Sequence, residues 1–145
     1  MAKSTTFCND LLKLIFNATA IASIADNAAT PLTNLFVALH TGDPTAGGNQ
    51  SSAEGTVYTG YGRVAVPRAS GAGGFTVTAN AVSPQASITF PAGTAGSGLV
   101  THFSIGTQTT GNPGKILYSG TVTPNISVGS GVTPILTNLS TVTET

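Results

Sequence analysis

The chain offers few side chains with which to do chemistry. His40 and His102 are its only imidazoles, and its acids are Asp10, Asp26, Asp43, Glu54 and Glu144. Neither histidine stands in a His-x-His or His-Glu-x-x-His spacing, so nothing gathers ligands around a zinc-type ion. Asp43 follows His40 by three residues and is the best metal partner available, but an Asp before Pro44 is also ordinary turn chemistry, and we read it as a turn. Ser104 lies two residues from His102, and on a strand the two would share a face. A serine nucleophile also needs an acid and an oxyanion hole on a tight turn, and no Gly-x-Ser-x-Gly elbow is present. Paired-carboxylate catalysis would have to recruit from acids scattered along the chain. The single thiol, Cys8, has no base or electropositive neighbour to activate it, so it reads as a small side chain packed under an N-terminal helix. The expectation is a non-enzyme without catalytic residues, metal or cofactor.

Two further groups invite a binding role. Gly93-Thr-Ala-Gly-Ser-Gly98 looks like a phosphate cradle, yet it lacks the Gly-Lys-Ser/Thr ending and no helical pattern follows it, so we read a flexible strand connection. Tyr58, Tyr61 and Phe75 are the nearest approach to an aromatic cluster; with no Trp and few cations they read as packing rather than a stacking platform. Arg63 and Arg68 flank the apolar Val64–Val66. In a chain so poor in charge each is expected to have an assigned partner, such as a carboxylate on another chain, which makes both candidate interface residues.

Composition narrows the classes. Only 7% of the 145 residues are Asp, Glu, Lys or Arg, and with five of each sign the formal net charge is zero. Displacing counterions from phosphates takes a basic surface, so nucleic acid is not expected as a partner, and an anionic membrane surface loses support for the same reason. The charge is replaced by 24 Thr, 13 Ser and 18 Gly, a neutral hydroxyl-rich surface prone to self-association. With 40% hydrophobic residues the chain can bury one core. One cysteine implies no disulfide. Four Asn-x-Ser/Thr sequons, from Asn17, Asn49, Asn125 and Asn138, follow from so much Ser and Thr. The N-terminus resembles a secretory leader, but Asp10, Lys13 and Asn17 interrupt its apolar run, and no stretch of eighteen apolar residues could span a bilayer.

The elements that would position these residues change character at Pro31. Phe7, Leu11, Leu14 and Ile15 recur at i, i+4, i+7 and i+8, which predicts an amphipathic helix over 6–16, capped by Thr5 or Thr6 and with Asp10 in or near its first turn. That face must dock on its own domain or a neighbouring subunit. Residues 18–29 extend the helix or form a second one, which Pro31 ends. Leu35–Leu39, apolar at every position, predicts a strand covered on both sides. Residues 45–56 (TAGGNQSSAEGT) are small and polar and read as a mobile loop or extended arm. Further strands are expected at 61–66, 75–78, 88–90, 99–105, 116–118, 126–128, 132–136 and 139–142, separated by turns such as Gly111-Asn-Pro-Gly114. The outcome is a mostly-β antiparallel sandwich or barrel of about eight strands, residues 31–145, behind an N-terminal helical arm, residues 1–30.

Several ordered strings carry a resemblance. Leu35-Phe-Val-Ala-Leu-His-Thr-Gly-Asp-Pro44, Tyr58-Thr-Gly-Tyr-Gly-Arg-Val-Ala-Val-Pro67, Thr101-His-Phe-Ser-Ile-Gly106 and Ile116-Leu-Tyr-Ser-Gly120 resemble a family of small virion structural proteins of tailed bacteriophages, over about residues 20–143. Its members carry labels from tail fibre to capsid cement or decoration protein. The cementing members imply a jelly-roll-like fold and a small homo-oligomer, dimer or trimer, bridging major capsid protein subunits on the capsid exterior after assembly in the host cytoplasm. The alternative is a tail fibre or tail accessory protein, and a phage hydrolase is a weak third. Candidate contact residues are Phe7, Leu11, Leu14 and Ile15 on the arm, with Arg63 and Arg68 as charge contacts.

Overall fold

The computed structural model describes residues 5–21, 31–44, 48–54, 58–71 and 73–144. One helix, α1 (Thr5–Phe16), precedes β1 (Asn34–His40), β2 (Tyr58–Thr59), β3 (Val64–Pro67), β4 (Phe75–Thr78), β5 (Ala81–Pro84), β6 (Ile88–Thr89), β7 (Ala95–Gly106), β8 (Ile116–Gly129), β9 (Ile135–Leu136) and β10 (Val142–Thr143). The molecule is mostly β, and its registered strand pairs are antiparallel and arranged in open sheets. Ten strands stand among the described residues where sequence spacing leads to about eight. The surplus comes from two-residue strands and from β5, whose Pro84 hid it; the expected 116–118 and 126–128 strands are a single β8.

The chain forms two compact units, one of residues 1–34, 66–88 and 136–145, the other of 35–65 and 89–135. In the first unit, β10, β5 and β4 make a three-stranded sheet in that order, with Val77 opposite Val82 and Val82 opposite Val142. Helix α1 lies against β4 and β5. Cys8, Leu12 and Phe16, at i, i+4 and i+8, form its buried stripe, and the Phe16 ring meets Phe75 edge-on at 4.7 Å. Removing Leu12 and Phe16 from water stabilises the unit by about 1.5–3 kcal/mol each. The stripe differs from the expected one: Leu11, Leu14 and Ile15 are half-buried, and the side chain of Phe7 lies outside the described residues. Both readings satisfy helical periodicity, and sheet contact chose between them. Asp10 falls past the first turn, which holds no acid. Ala18–Ile21 are not helical, and the rest of the expected continuation, 22–30, lies outside the described residues.

In the second unit β7 is central. It pairs with β1 from Phe36↔Gly106 to His40↔His102, and on its other side with β8 from Gly106↔Ile116 to Ser97↔Gly129. Its start pairs with β2, Tyr58↔Gly96. The complete sheet order is β2-β7-β1-β3 with β8 on β7. β1 is buried on both faces from Val37 to His40, as its unbroken apolar run requires. The Gly93–Gly98 segment is not simply a flexible connection. Residues from Ala95 onward already belong to β7, and a side chain at Gly93 would collide with the Gly129 carbonyl oxygen.

Candidate functional site

The second unit buries an unusual set of polar groups: His40, Gln50, Arg63 and Ser104. Buried polar groups cost stability unless they are hydrogen-bonded, so their partners reveal what they are for. Two of the four sit where the sequence reading placed a mobile loop or a contact with another chain.

Segment 48–54 is packed, not free. It is tied at one end by the Gln50 N–H donating to the Gly114 carbonyl (3.2 Å), and at the other by the Thr41 N–H donating to the Ala53 carbonyl (2.8 Å) and a bridge between Glu54 and His40. The fully buried Gln50 amide donates to the Phe36 carbonyl (2.8 Å) and accepts from the Gln108 N–H (3.1 Å). Glycines at 106 and 114 make room for it. A side chain at Gly106 would strike the Gln50 amide, and Gly114, at φ 53°, would set its Cβ 2.6 Å from Gln50 Oε1. Residues 45–47 and 55–57 of the expected arm lie outside the described residues.

Glu54 and Arg63 form the centre. Arg63 Nε donates to Glu54 Oε1 (2.6 Å) and Nη2 to Oε2 (2.8 Å), a two-pronged fork with the guanidinium wholly buried. Of the remaining donors, Nη1 reaches three carbonyls of one loop, Gln108 (3.0 Å), Thr109 (2.9 Å) and Asn112 (2.8 Å), and Nη2 reaches Ser51 Oγ of segment 48–54 (3.1 Å). The Arg63 N–H also donates to Thr110 Oγ1 (2.7 Å). The Tyr61 hydroxyl donates to Glu54 Oε1 (3.0 Å) and accepts the Leu39 N–H (3.1 Å). Burial first, then the Glu54 charge, pushes the Tyr61 phenol far up, so it stays a donor. Arg63 therefore finds its carboxylate within its own chain.

The bonds from Arg63 Nη1, the Arg63 N–H and Gln50 converge on residues 107–115, the loop joining β7 to β8. Its outer side is an open depression lined by Thr107, Gln108, Asn112, Pro113, Gly114 and Lys115. The arrangement is a surface loop held to a fixed backbone shape from beneath by an arginine, a glutamine and a serine. Groups spent on backbone carbonyls are not available to move protons.

His40 and Ser104 are the nearest thing to catalytic chemistry. The register His40↔His102 sets Ser104 diagonally across from His40, and Ser104 Oγ stands 2.8 Å from His40 Nε2. Nδ1 stands 2.8 Å from the Ser52 carbonyl oxygen, which can only accept, so Nδ1 carries the proton and Nε2 receives the serine hydroxyl. Desolvation lowers the His40 pKa, against raising contributions from the Ser52 carbonyl and Glu54. Both residues have no exposed surface and the imidazole leans on a carbonyl instead of an acid, so the pair ties β1, β7 and segment 48–54 together. With both ring nitrogens engaged, His40 has none to offer a metal beside Asp43. Among the described residues no three His, Cys, Asp or Glu side chains gather as a ligand set. Among the described residues, His102 bonds to the neighbouring Thr101 hydroxyl, at 2.8 Å, and not to Ser104.

The other residues singled out from sequence belong to the first unit. Arg68 caps α1: Nε donates to the Ile15 carbonyl (2.5 Å), Nη2 to Leu14 (2.6 Å) and Nη1 to Leu32 (2.7 Å). A cation at a helix C-terminus satisfies orphan carbonyls and opposes the negative end of the dipole. The structure thus joins Arg68 to Leu14 and Ile15 through their backbones, while Arg63 belongs to the second unit. The expected aromatic cluster also divides. Tyr58 and Tyr61 pair edge-on at 5.7 Å in the second unit, while Phe75 belongs to the core of the first. Sequence reasoning missed Gln50, Glu54 and the His40–Ser104 pair, because their partners lie 9 to 64 residues away with no local pattern.

The sequence model of the family described as Podophage GP4 fiber I protein gp80 matches residues 2–142, and the chain belongs to that family. It is thus a bacteriophage virion structural protein, in accord with the ordered strings quoted above. No curated protein matches it.

Proposed function

We propose that this member of a fibre-named family is a subunit of a fibre on the phage particle, working through protein–protein contact as a homo-oligomer and without catalysis. The family match over 2–142 carries the reading, since it spans both compact units. The geometry supports it: buried polar side chains are devoted to holding the 107–115 loop, which suits a surface that must keep its shape. A net charge of zero favours contacts that survive changes in salt, because there is little charge to screen. Nucleic acid and membrane are not proposed as partners.

A second reading keeps the protein on the capsid exterior as a cement that bridges major capsid protein subunits. The short, repeat-free, neutral chain favours it, because binding only the assembled lattice would stabilise the particle by mass action. Copy number separates the two. Quantitative mass spectrometry of purified particles, as a ratio to the major capsid protein, is expected to return a few per cent or less for a fibre. A ratio near one, or a simple fraction such as a third, would overturn the fibre reading in favour of cementing.

A further inference from the structure

We infer that the depression on the outer side of the 107–115 loop binds an acidic saccharide, a sugar ring that carries a carboxylate. Its six lining residues, Thr107, Gln108, Asn112, Pro113, Gly114 and Lys115, surround about 380 Å³ of space. That lies at the small end of the roughly 300–1,000 Å³ of small-molecule sites. A stable protein contact takes about 20–30 residues from each partner, so a small ligand fits this hollow better.

The polarity of the loop is set from beneath. The carbonyls of Gln108, Thr109 and Asn112 accept from Arg63 Nη1, and the Gly114 carbonyl accepts from the Gln50 N–H. Across a trans peptide the C=O and N–H point in opposite directions, so carbonyls drawn inward turn N–H groups outward. The N–H groups of Thr109 and Thr110 are turned out in this way, and neither has a partner among the described residues. The outer side is thereby rich in donors, which suits an anion.

The side chains of the depression identify the ligand. Gln108, Asn112 and Lys115 are exposed. Among the described residues the Gln108 amide and the Lys115 ammonium have no partner, and the Asn112 amide makes one long bond, to Thr109 Oγ1 at 3.4 Å. Lys115 is also the only Asp, Glu, Lys or Arg between Arg68 and Glu144, so no acid near it in sequence cancels its charge. The ammonium serves a carboxylate, and the two amides, each donor and acceptor at once, serve ring hydroxyls. The Pro113 ring offers an apolar surface to the C–H face of a sugar. A neutral sugar would leave the lysine unused, and a bare carboxylate would leave the amides unused. Because Arg63 and Gln50 fix the loop in advance, the ligand does not meet the cost of ordering it.

The inference rests on the homo-oligomer reading above only for its strength, since linked copies raise a weak single contact by about 10²–10⁴. It is tested on the isolated chain, so it can fail while the copy-number result stands. Galacturonate and glucuronate, titrated at millimolar concentration into the isotope-labelled chain, are expected to give saturable amide chemical-shift changes centred on 107–115. Galactose and glucose, with a hydroxymethyl group in place of the carboxylate, are expected to bind at least about threefold more weakly, the scale of an exposed ion pair. Acetate is expected to leave the Gln108 and Asn112 side-chain resonances in place. Lys115→Gln is expected to abolish the preference for the acidic sugars, and Gln108→Ala to weaken acidic and neutral sugars alike, with the thermal midpoint of unfolding unchanged in both. No saturable shift with either uronate, equal binding of each uronate and its neutral counterpart, or an acid preference that survives Lys115→Gln would overturn the proposal. Shifts centred on the first unit would overturn it too.

Discussion

Arg63 carries more of the second unit than any other side chain. Removing it leaves the Glu54 carboxylate buried without its counter-charge and releases three loop carbonyls at once. Arg63→Ala is expected to cost about 3–5 kcal/mol, the range for breaking a buried pair, measured by urea unfolding. Making both members neutral, as Glu54→Gln with Arg63→Met, removes the orphaned charge but not the orphaned carbonyls, so stability is expected to return only in part. His40 supplies a pH dependence of definite sign. Burial lowers its folded-state pKa below 6.5, opposed by the Ser52 carbonyl and Glu54 and seconded by the nearby charges of Arg63 and His102. The unfolded chain then binds the proton more readily. His40 therefore contributes stability in full above pH 6.5, which is lost as pH falls from 6.5 to the folded-state value. Urea midpoints between pH 8 and 5 are expected to fall on the acid side, and His40→Asn is expected to flatten that part of the profile. These residues show why the site was hard to read from sequence. Arg63 and Asp43 draw the eye because charges are scarce, but Gln50 and Glu54 sit in a string of small polar residues that looks like any loop until Arg63 and Gly114 are brought beside it.

The elements are set partly by local pattern and partly by what they pack on. β1 and β4 are legible because an unbroken apolar run and a period-two run each have one structural outcome. The β4–β5 hairpin is less so. Thr78 pairs with Ala81 across a two-residue turn of Ala79 and Asn80, and Ala79 adopts φ 53°, where a Cβ is unfavourable by roughly 1–2 kcal/mol. A turn with Ala in place of the usual Gly gives no local signal, and β5 goes unseen behind Ala79 and Pro84. Ala79→Gly relieves that strain at an entropy cost of about 0.5–1 kcal/mol. It is expected to stabilise the protein by about 0.5 kcal/mol, read as a raised thermal midpoint. Ala18, at φ 52°, ends α1 in the same left-handed conformation, and the Asn17 and Thr19 N–H groups both donate to the Lys13 carbonyl (3.0 and 3.1 Å). The end of α1 was legible only as a fading pattern; the cap and Arg68 fix where it stops.

On the scale of the whole molecule, scarcity of charge is the property with the widest reach. Arg63 and Arg68 are engaged with their own chain, one on a carboxylate and loop carbonyls, the other on a helix end. Exposed apolar side chains, Leu99, Ile135 and Leu139 among them, stand on a surface otherwise rich in hydroxyls. Such a surface meets other proteins through shape and modest apolar contact, which agrees with a virion component. By itself the sequence determined the mostly-β class, the short N-terminal helix, the doubly covered β1 and membership among virion structural proteins. Composition, periodicity and long ordered strings are local properties that survive without a fold. Only the tertiary structure decided which helix face is buried, that segment 48–54 is a packed clamp, and that His40 and not His102 meets Ser104. Each depends on residues far apart in the chain being placed within a few ångströms, and strand register, which no short stretch encodes, is what places them.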